Sequence, residues 1–226
     1  ISGERIIHIL THIFDPLVPF NRAAARTFPK TVAPGTHPAW ELPFFGAAEA
    51  KAQVVALGAS DTKGYYLPES EAWPAKLETL LRQRGVNVSV ANQGVNGDTS
   101  EGMLSRLDSA VPEGTRVVIF NCCGNDNKDK RHIVADRDGN IRTIVTRLRA
   151  RGIAVVFSES GRHPQPPDPA PVARGAGASW CGMIYQGVPP EDLEESEAGE
   201  HPNANGTDII AARMLPCVMR AMGRKG

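Results

Sequence analysis

The strongest constraint on the fold is a regular alternation of two kinds of segment from residue 53 onward. Short apolar runs, typical of buried strands, are "QVVALG", "VNVSVA", "RVVIFN" and "IAVVFSE". The segments with apolar residues at helical spacing are "EAWPAKLETLLRQRG", "TSEGMLSRLDSAV" and "NIRTIVTRLRARG". Strands that alternate with helices predict an α/β fold with a mostly parallel central sheet, covered by helices on both faces.

The helical segments carry the expected end signals. Trp73, Leu77, Leu80 and Leu81 share one face of the first helix, and Gly85 follows its end. The second helix opens on good capping residues in "DTS". The chain closes with a predicted helix, "GTDIIAARMLPCVMRAM", in which proline is expected to introduce a kink.

The first 50 residues have a different character. Six prolines interrupt them, at positions 16, 19, 29, 34, 38 and 43. This spacing predicts an extended arm, residues 1–50, that packs on a single domain over residues 51–226. The arm is also where we would expect contacts in an oligomer, if one forms.

Composition excludes some classes of partner. Twenty-five basic and twenty-five acidic residues give no net charge, so we expect neither nucleic acid nor an anionic membrane as the main partner. No apolar run is long enough to span a membrane, which predicts a soluble protein. The sequence begins at Ile1 rather than Met, so a removed signal peptide stays open, and the compartment is either periplasmic, secreted or cytoplasmic. The four cysteines do not indicate a disulfide framework, although a Cys181–Cys217 bridge stays open.

Three polar loops follow the first three predicted strands, at the sheet edge where α/β folds bind ligands. Ser60 lies in "GASDTKG", Gly97 in "NQGVNGDTS" and Asn125 in "NCCGNDN". A serine nucleophile, a glycine N–H and an amide donor suit acyl transfer. His201, just before the last helix, can supply the base. Taken singly, each of these residues is equally typical of a turn or a helix start.

Taken in order, "LGASDTKGYYLPESEAWPAKL", "NQGVNGDTSEGMLSRL", "CGNDN" and "HPNANG" resemble the signature blocks of the SGNH or GDSL hydrolases. The likeness is to the bacterial thioesterase/lysophospholipase and arylesterase branch. It implies a flavodoxin-like three-layer α/β/α fold and hydrolysis of esters or thioesters of small to medium acyl groups, a small-molecule substrate, through an acyl-serine. It also implies Ser60 as nucleophile, His201 as base, and Ser60, Gly97 and Asn125 as oxyanion donors.

The sequence departs from the family at the acid. The family usually carries Asp three residues before the histidine, and Ala198 stands there. Three explanations stay open: Glu197 reaches the imidazole, a Ser–His dyad uses a backbone carbonyl, or Ala198 is an introduced substitution. Glu200 is a further candidate, although its side chain should point away from His201. An alternative function is a pseudo-enzyme that binds an acyl or glycan ligand with little turnover.

Other patterns indicate no metal site and no cofactor. His8 and His12 have the spacing of two ligands on a helix, but no third ligand stands nearby. Adjacent Cys122 and Cys123 are better explained by packing than by zinc. No glycine-rich phosphate loop is present, because neither "GVNG" nor "RGAGAS" has the required spacing.

Overall fold

We describe the fold from a computed structural model, which covers residues 53–128, 133–196 and 199–224. The predicted arm, residues 1–50, lies outside the described residues. The strands of the main sheet are β1 Val54–Gly58, β2 Val90–Gly94, β3 Val117–Cys122, β4 Ala154–Glu159 and β5 Ser179–Met183. Their order is β2-β1-β3-β4-β5, and every neighbouring pair is parallel. Two further strands, β6 Leu193–Glu194 and β7 His201–Pro202, form a small antiparallel pair.

Helices follow the strands as the sequence predicts. They are α1 Ser60–Lys63, α2 Trp73–Gln83, α3 Ser100–Ser105, α4 Leu107–Ala110, α5 Arg137–Ala150, α6 Ala170–Gly175 and α7 Ala204–Ala221. Short 3₁₀ turns cover Glu69–Glu71 and Pro190–Asp192. None of the helices in the described ranges combines the length and the apolar character that crossing a bilayer requires.

The core lies in two layers because successive strand residues point to opposite faces of the sheet. Val54 and Ala56 pack with α2 and α7 on one face, whereas Val55 and Leu57 pack with α3, α4 and α5 on the other. All four of these strand residues are fully buried. The sheet therefore lies between two helical layers, which is the predicted three-layer α/β/α arrangement.

Two elements differ from the sequence prediction. The second strand was expected over "VNVSVA", residues 86–91, but β2 starts at Val90 and runs through polar residues. β2 is an edge strand with only β1 beside it, so most of it stays half-buried and needs no apolar alternation. Val86 and Val88 are instead buried in the core near α2. The single helix predicted over residues 99–111 is divided into α3 and α4 at Arg106.

The sequence analysis missed β5 and α6. β5 reads "SWCGM", which lacks the apolar run of a central strand and contains Gly182 at φ +82°. It lies at the other sheet edge, and its register with β4 is irregular. α6 is one and a half turns long and lies in the segment that its prolines had marked as a loop.

Both cysteine pairs are bonded, so the expectation that the cysteines form no framework is wrong. Cys181 and Cys217 join β5 to α7, with Cα atoms 6.1 Å apart. Cys122 and Cys123 form a disulfide between adjacent residues at the end of β3. The spacing could not indicate the second bridge, because adjacent cysteines rarely pair with each other.

Candidate active site

Ser60, Gly97 and Asn125 lie in the loops at the carboxyl ends of three neighbouring strands. Ser60 is the first residue of α1, two positions after β1 ends at Gly58. Gly97 follows β2 and Asn125 follows β3. Because the strand order places β2, β1 and β3 side by side, the parallel sheet brings these loops to one edge.

His201 meets Ser60 at this edge. Its Nε2 lies 2.8 Å from Ser60 Oγ, although the two residues are 141 positions apart. Its Nδ1 lies 3.0 Å from the carbonyl oxygen of Gly199. A carbonyl can only accept, so Nδ1 carries the ring proton in the neutral imidazole. Nε2 is then free to accept the proton of the serine hydroxyl, which is the geometry of an activated nucleophile.

The segment "HPN" fixes the position of the imidazole. His201 and Pro202 form β7, which pairs with β6. Asn203 then caps α7, because its side chain accepts a hydrogen bond of 3.0 Å from the N–H of Gly206. The ring of Tyr65 lies against the imidazole, with ring centroids 4.4 Å apart. As a result His201 is only 6% exposed and has few alternative rotamers.

Two of the predicted oxyanion donors, Ser60 and Asn125, line one cavity, whereas Gly97 is not among its lining residues. Asn125 Nδ2 donates to the carbonyl of Asp98 at 2.9 Å, which holds the amide against the loop that contains Gly97. Gly97 has φ +74°, a conformation that favours glycine and turns its peptide at the loop tip. The N–H of Ser60 is one of the first amides of α1, which have no acceptor within their own helix.

Arg106 supports this loop, and the sequence analysis did not single it out. Its guanidinium lies 2.7 Å from Asp98 Oδ2 and donates to the carbonyls of Gly58 and Gln93, at 3.2 and 3.0 Å. Burial raises the pKa of the Asp98 carboxyl, and the hydrogen bond and charge of Arg106 oppose that shift. Arg106 thus joins the ends of β1 and β2 to the loop of Gly97. No local pattern distinguishes it from an ordinary exposed helix arginine.

The aspartate of "GND", Asp126, binds the start of α3. Asp126 Oδ1 accepts a hydrogen bond of 2.8 Å from the N–H of Ser100, at the start of α3. Thr99 caps the same helix through Gly102 N–H, as the "DTS" signal predicts. The loops after β2 and β3 are therefore joined at two adjacent residues, Asn125 and Asp126.

A cavity of about 190 Å³ opens beside Ser60. Polar side chains and small residues dominate its lining. Its residues are Ala59, Ser60, Asp61, Gly124, Asn125, Lys128, Ser160, Gly161, Gln165, Tyr185, Gly199, Glu200 and His201. Asp61 and Tyr185 were not expected here from the sequence. Tyr185 follows the missed strand β5, and the sequence analysis assigned no role to Asp61.

Of the two candidate acids, the structure describes Glu200 but not Glu197. Glu197 and Ala198 lie outside the described residues. The Glu200 carboxylate lies 3.5 Å from Arg162 Nε, so it forms an ion pair away from the imidazole. Among the described residues, the contact of His201 Nδ1 is the Gly199 carbonyl. This contact corresponds to the second explanation for the missing acid, a Ser–His pair oriented by the backbone.

One cluster in the described part of the chain has the residue types of a metal site. Cys122, Cys123 and Asp126 are the one group there whose ligand atoms lie close enough together for an ion. Both sulfurs are engaged in the disulfide, so neither is a thiolate that could coordinate zinc. The earlier candidates His8 and His12 lie outside the described residues.

Comparison with known proteins agrees with this geometry. The arylesterase of Vibrio mimicus is 32% identical over 81 residues, which are 35% of this chain and 40% of that protein. Thioesterase 1/protease 1/lysophospholipase L1 of Escherichia coli K12 is 36% identical over 95 residues, 38% of this chain and 44% of that protein. The chain thus spans less than half the length of these two relatives.

The solved structures extend the likeness to the whole sheet. The crystal structure of TesA superposes with a TM-score of 0.65 at 22% identity, covering 74% of this chain and 98% of TesA, which shows a common fold. The family model described as GDSL-like lipase/acylhydrolase matches residues 56–209, more than half of the chain, and this range contains Ser60, Gly97, Asn125 and His201. The chain belongs to the GDSL-like lipase/acylhydrolase family.

Proposed function

We propose that this chain is a carboxylic ester hydrolase that acts on short acyl groups through an acyl-enzyme on Ser60. The observation that carries the proposal is the 2.8 Å contact between Ser60 Oγ and His201 Nε2 at the ligand-binding edge of the sheet. A serine and an imidazole in hydrogen-bond contact form a nucleophile and its base. Family membership supports the same reaction class.

The reaction takes two steps of the same kind. Ser60 Oγ attacks the ester carbonyl while its proton passes to His201 Nε2. The resulting oxyanion accepts hydrogen bonds from the N–H groups of Ser60 and Gly97 and from the Asn125 amide. The intermediate collapses, and His201 returns the proton to the leaving alcohol. Water then attacks the acyl-serine in the same way and releases the acid.

The Gly199 carbonyl orients the imidazole of His201, as a carboxylate does in most serine hydrolases. It accepts the Nδ1 proton at 3.0 Å and so holds the tautomer in which Nε2 is a base. A neutral carbonyl stabilises an imidazolium less than an ionised carboxylate does. In serine proteases, replacing that carboxylate costs about 10⁴ in kcat, mainly through the wrong tautomer. We expect a smaller deficit here, because the tautomer is retained.

The cavity beside Ser60 favours a small acyl group. Its volume of about 190 Å³ is below the roughly 300 Å³ at which pockets for drug-sized ligands begin. Lys128, Gln165 and Glu200 line it, and these side chains offer no apolar channel for a long chain. We therefore expect acetyl esters to be cleaved faster than butyryl esters, and octanoyl esters slowest.

The test is hydrolysis of p-nitrophenyl acetate, butyrate and octanoate by the wild-type chain and by Ser60→Ala. Ser109→Ala is a matched control, because Ser109 is exposed on α4 and its hydroxyl only bonds its own helix. The proposal requires that Ser60→Ala removes at least about 99% of kcat, within the range seen for lost nucleophiles. Equal turnover by wild type and Ser60→Ala would contradict it.

A binding module is the second candidate, and the Nδ1 contact favours it. A histidine oriented by a carbonyl can hold a serine poised while turning substrate over slowly. Isothermal titration calorimetry with acetylated sugars and with short fatty acids, beside the ester assay, distinguishes the binding module from the hydrolase. Micromolar binding with no hydrolysis of any of the three esters supports the binding module.

A further inference from the structure

Asp61 is an unusual residue to find beside a nucleophilic serine. The Gly-Asp-Ser-Leu motif of the family becomes Gly58-Ala59-Ser60-Asp61 in this chain, so a carboxyl group replaces an apolar side chain. Asp61 is only 8% exposed and lines the same cavity as Ser60 and His201. Burial of a carboxyl group is costly, so its retention here calls for a compensating interaction.

Tyr185 supplies that interaction and extends it to the histidine loop. Its hydroxyl contacts Asp61 Oδ1, across 124 positions of the chain, and lies 3.1 Å from the carbonyl of Glu200. Glu200 immediately precedes His201. The hydroxyl therefore bridges the residue after the proposed nucleophile and the residue before the proposed base.

The hydroxyl has one proton, so the bridge has two hydrogen-bond arrangements. When Asp61 is ionised, Tyr185 donates to its carboxylate. When Asp61 is protonated, the carboxyl can donate to Tyr185, which then donates to the Glu200 carbonyl. The charge on Asp61 is thus coupled to the backbone that carries His201.

The charges around Asp61 act in opposite directions. Burial is the largest influence and leaves the pKa of the Asp61 carboxyl raised above its ordinary value, while the hydrogen bond from Tyr185 and the charge of His201 oppose that shift, as do Ser160 and Lys128. Burial and the neighbouring Asp61 raise the pKa of Tyr185 well above its ordinary value. Glu200 and Arg162, which form an ion pair, face Tyr185 from its other side. A positive imidazole and a negative Asp61 therefore stabilise each other.

We propose that Asp61, held by Tyr185, supplies the negative charge that stabilises the His201 imidazolium, in place of the carboxylate that the family carries three residues before the histidine. Asp61 acts through space and through the histidine loop rather than by contact with Nδ1, so it is a positioning residue. The inference rests on the proposed function, since it needs His201 to become charged during turnover.

The first test is Asp61→Asn, which keeps the shape and the acceptor oxygen of the side chain but removes its charge. At pH 8 we expect kcat for p-nitrophenyl acetate to fall about 10- to 100-fold with KM nearly unchanged, because opposite charges on two buried side chains that line one cavity interact by about that much. The acidic limb of the kcat/KM profile should move at least about half a pH unit lower, because a base without a nearby carboxylate is harder to protonate.

The controls separate charge from structure. Asp108→Asn removes an exposed carboxylate that pairs with Arg147, far from the cavity, and should change neither kcat nor the profile. Tyr185→Phe removes the hydrogen bond that favours the ionised Asp61 carboxylate, so it should lower kcat and move the acidic limb in the same direction as Asp61→Asn, but by less. If Asp61→Asn does not fold, Asp61→Leu introduces the family's own residue and carries the same expectation.

A rescue experiment tests whether the two carboxylates are interchangeable. Added to the Asp61→Asn variant, Ala198→Asp should raise kcat at least about tenfold. Added to the wild-type chain, it should raise kcat by a smaller factor. A kcat within twofold of wild type for Asp61→Asn, a loss without a shift of the acidic limb, or a failed rescue would each overturn the inference. Each of these results still leaves an enzyme that depends on Ser60, whereas the proposed function fails if the wild-type chain hydrolyses none of the esters or if Ser60→Ala keeps its activity.

Discussion

Replacement of Asn125 by alanine is the substitution whose effect the structure defines most closely. The Asn125 amide has two hydrogens, and one is bound by the Asp98 carbonyl at 2.9 Å. We propose that the second binds the oxyanion, which is formed only in the transition state. Asn125→Ala removes this donor and also releases the Asp98 carbonyl, so the loop of Gly97 loses one of its ties.

The magnitude follows from the nature of the interaction. Removal of one oxyanion donor costs about 10²–10³ in kcat, which is roughly 2.7–4 kcal/mol of transition-state stabilisation. KM should change by less than about threefold, because the ground-state carbonyl uses the donor little. Arg106 still holds the Asp98 carboxylate, so the loop should keep its position and the protein its fold.

The assay is steady-state hydrolysis of p-nitrophenyl acetate by wild type, Asn125→Ala and Asn87→Ala. Asn87 is exposed in the connection between α2 and β2, so its variant controls for a general loss of asparagine. Circular dichroism confirms that each variant is folded. A kcat for Asn125→Ala within about threefold of wild type would refute the assignment of Asn125 to the oxyanion site.

Two predictions concern stability. Cys217→Ser opens the bridge to Cys181, which closes a loop of 36 residues. The free energy of unfolding measured by urea titration should fall by about 3–4 kcal/mol. A loss below about 1 kcal/mol would contradict a formed disulfide. Glu159 is fully buried, and burial raises the pKa of its carboxyl. Its stabilising contribution is therefore complete below the pKa that the group has in the unfolded chain, and it is lost as the pH rises through the pKa of the folded state. Glu159→Gln should therefore match wild type in Tm near pH 4 and exceed it by a few degrees at pH 8, and a Tm difference independent of pH would contradict this account.

The sequence predicts best what depends on local patterns. Buried runs located β1, β3 and β4 because central strands of a parallel sheet are apolar on both faces. Helical spacing placed Trp73, Leu77 and Leu81 in the core, where the structure buries them fully. Ser60 and His201 were singled out together because several short blocks follow one another in the order that one mechanism requires.

The parts of the site that were missed depend on contacts that leave no local signal. The sequence analysis offered a backbone carbonyl as one of three explanations for the missing acid but could not single out Gly199, because every residue has a carbonyl. Tyr185 and Asp61 meet across 124 positions, from a strand end that the pattern did not show. Arg106 lies at the break between α3 and α4, and only the fold reveals that it reaches two strand ends.

The most direct test of the account is covalent labelling of the nucleophile by a fluorophosphonate. Intact mass and peptide mapping should show one adduct per chain, on Ser60, which is lost in Ser60→Ala and forms much more slowly in His201→Ala. Ser109→Ala should be labelled at the wild-type rate. Absence of an adduct, or an adduct on another residue that persists in Ser60→Ala, would contradict the claim that Ser60 is an activated nucleophile.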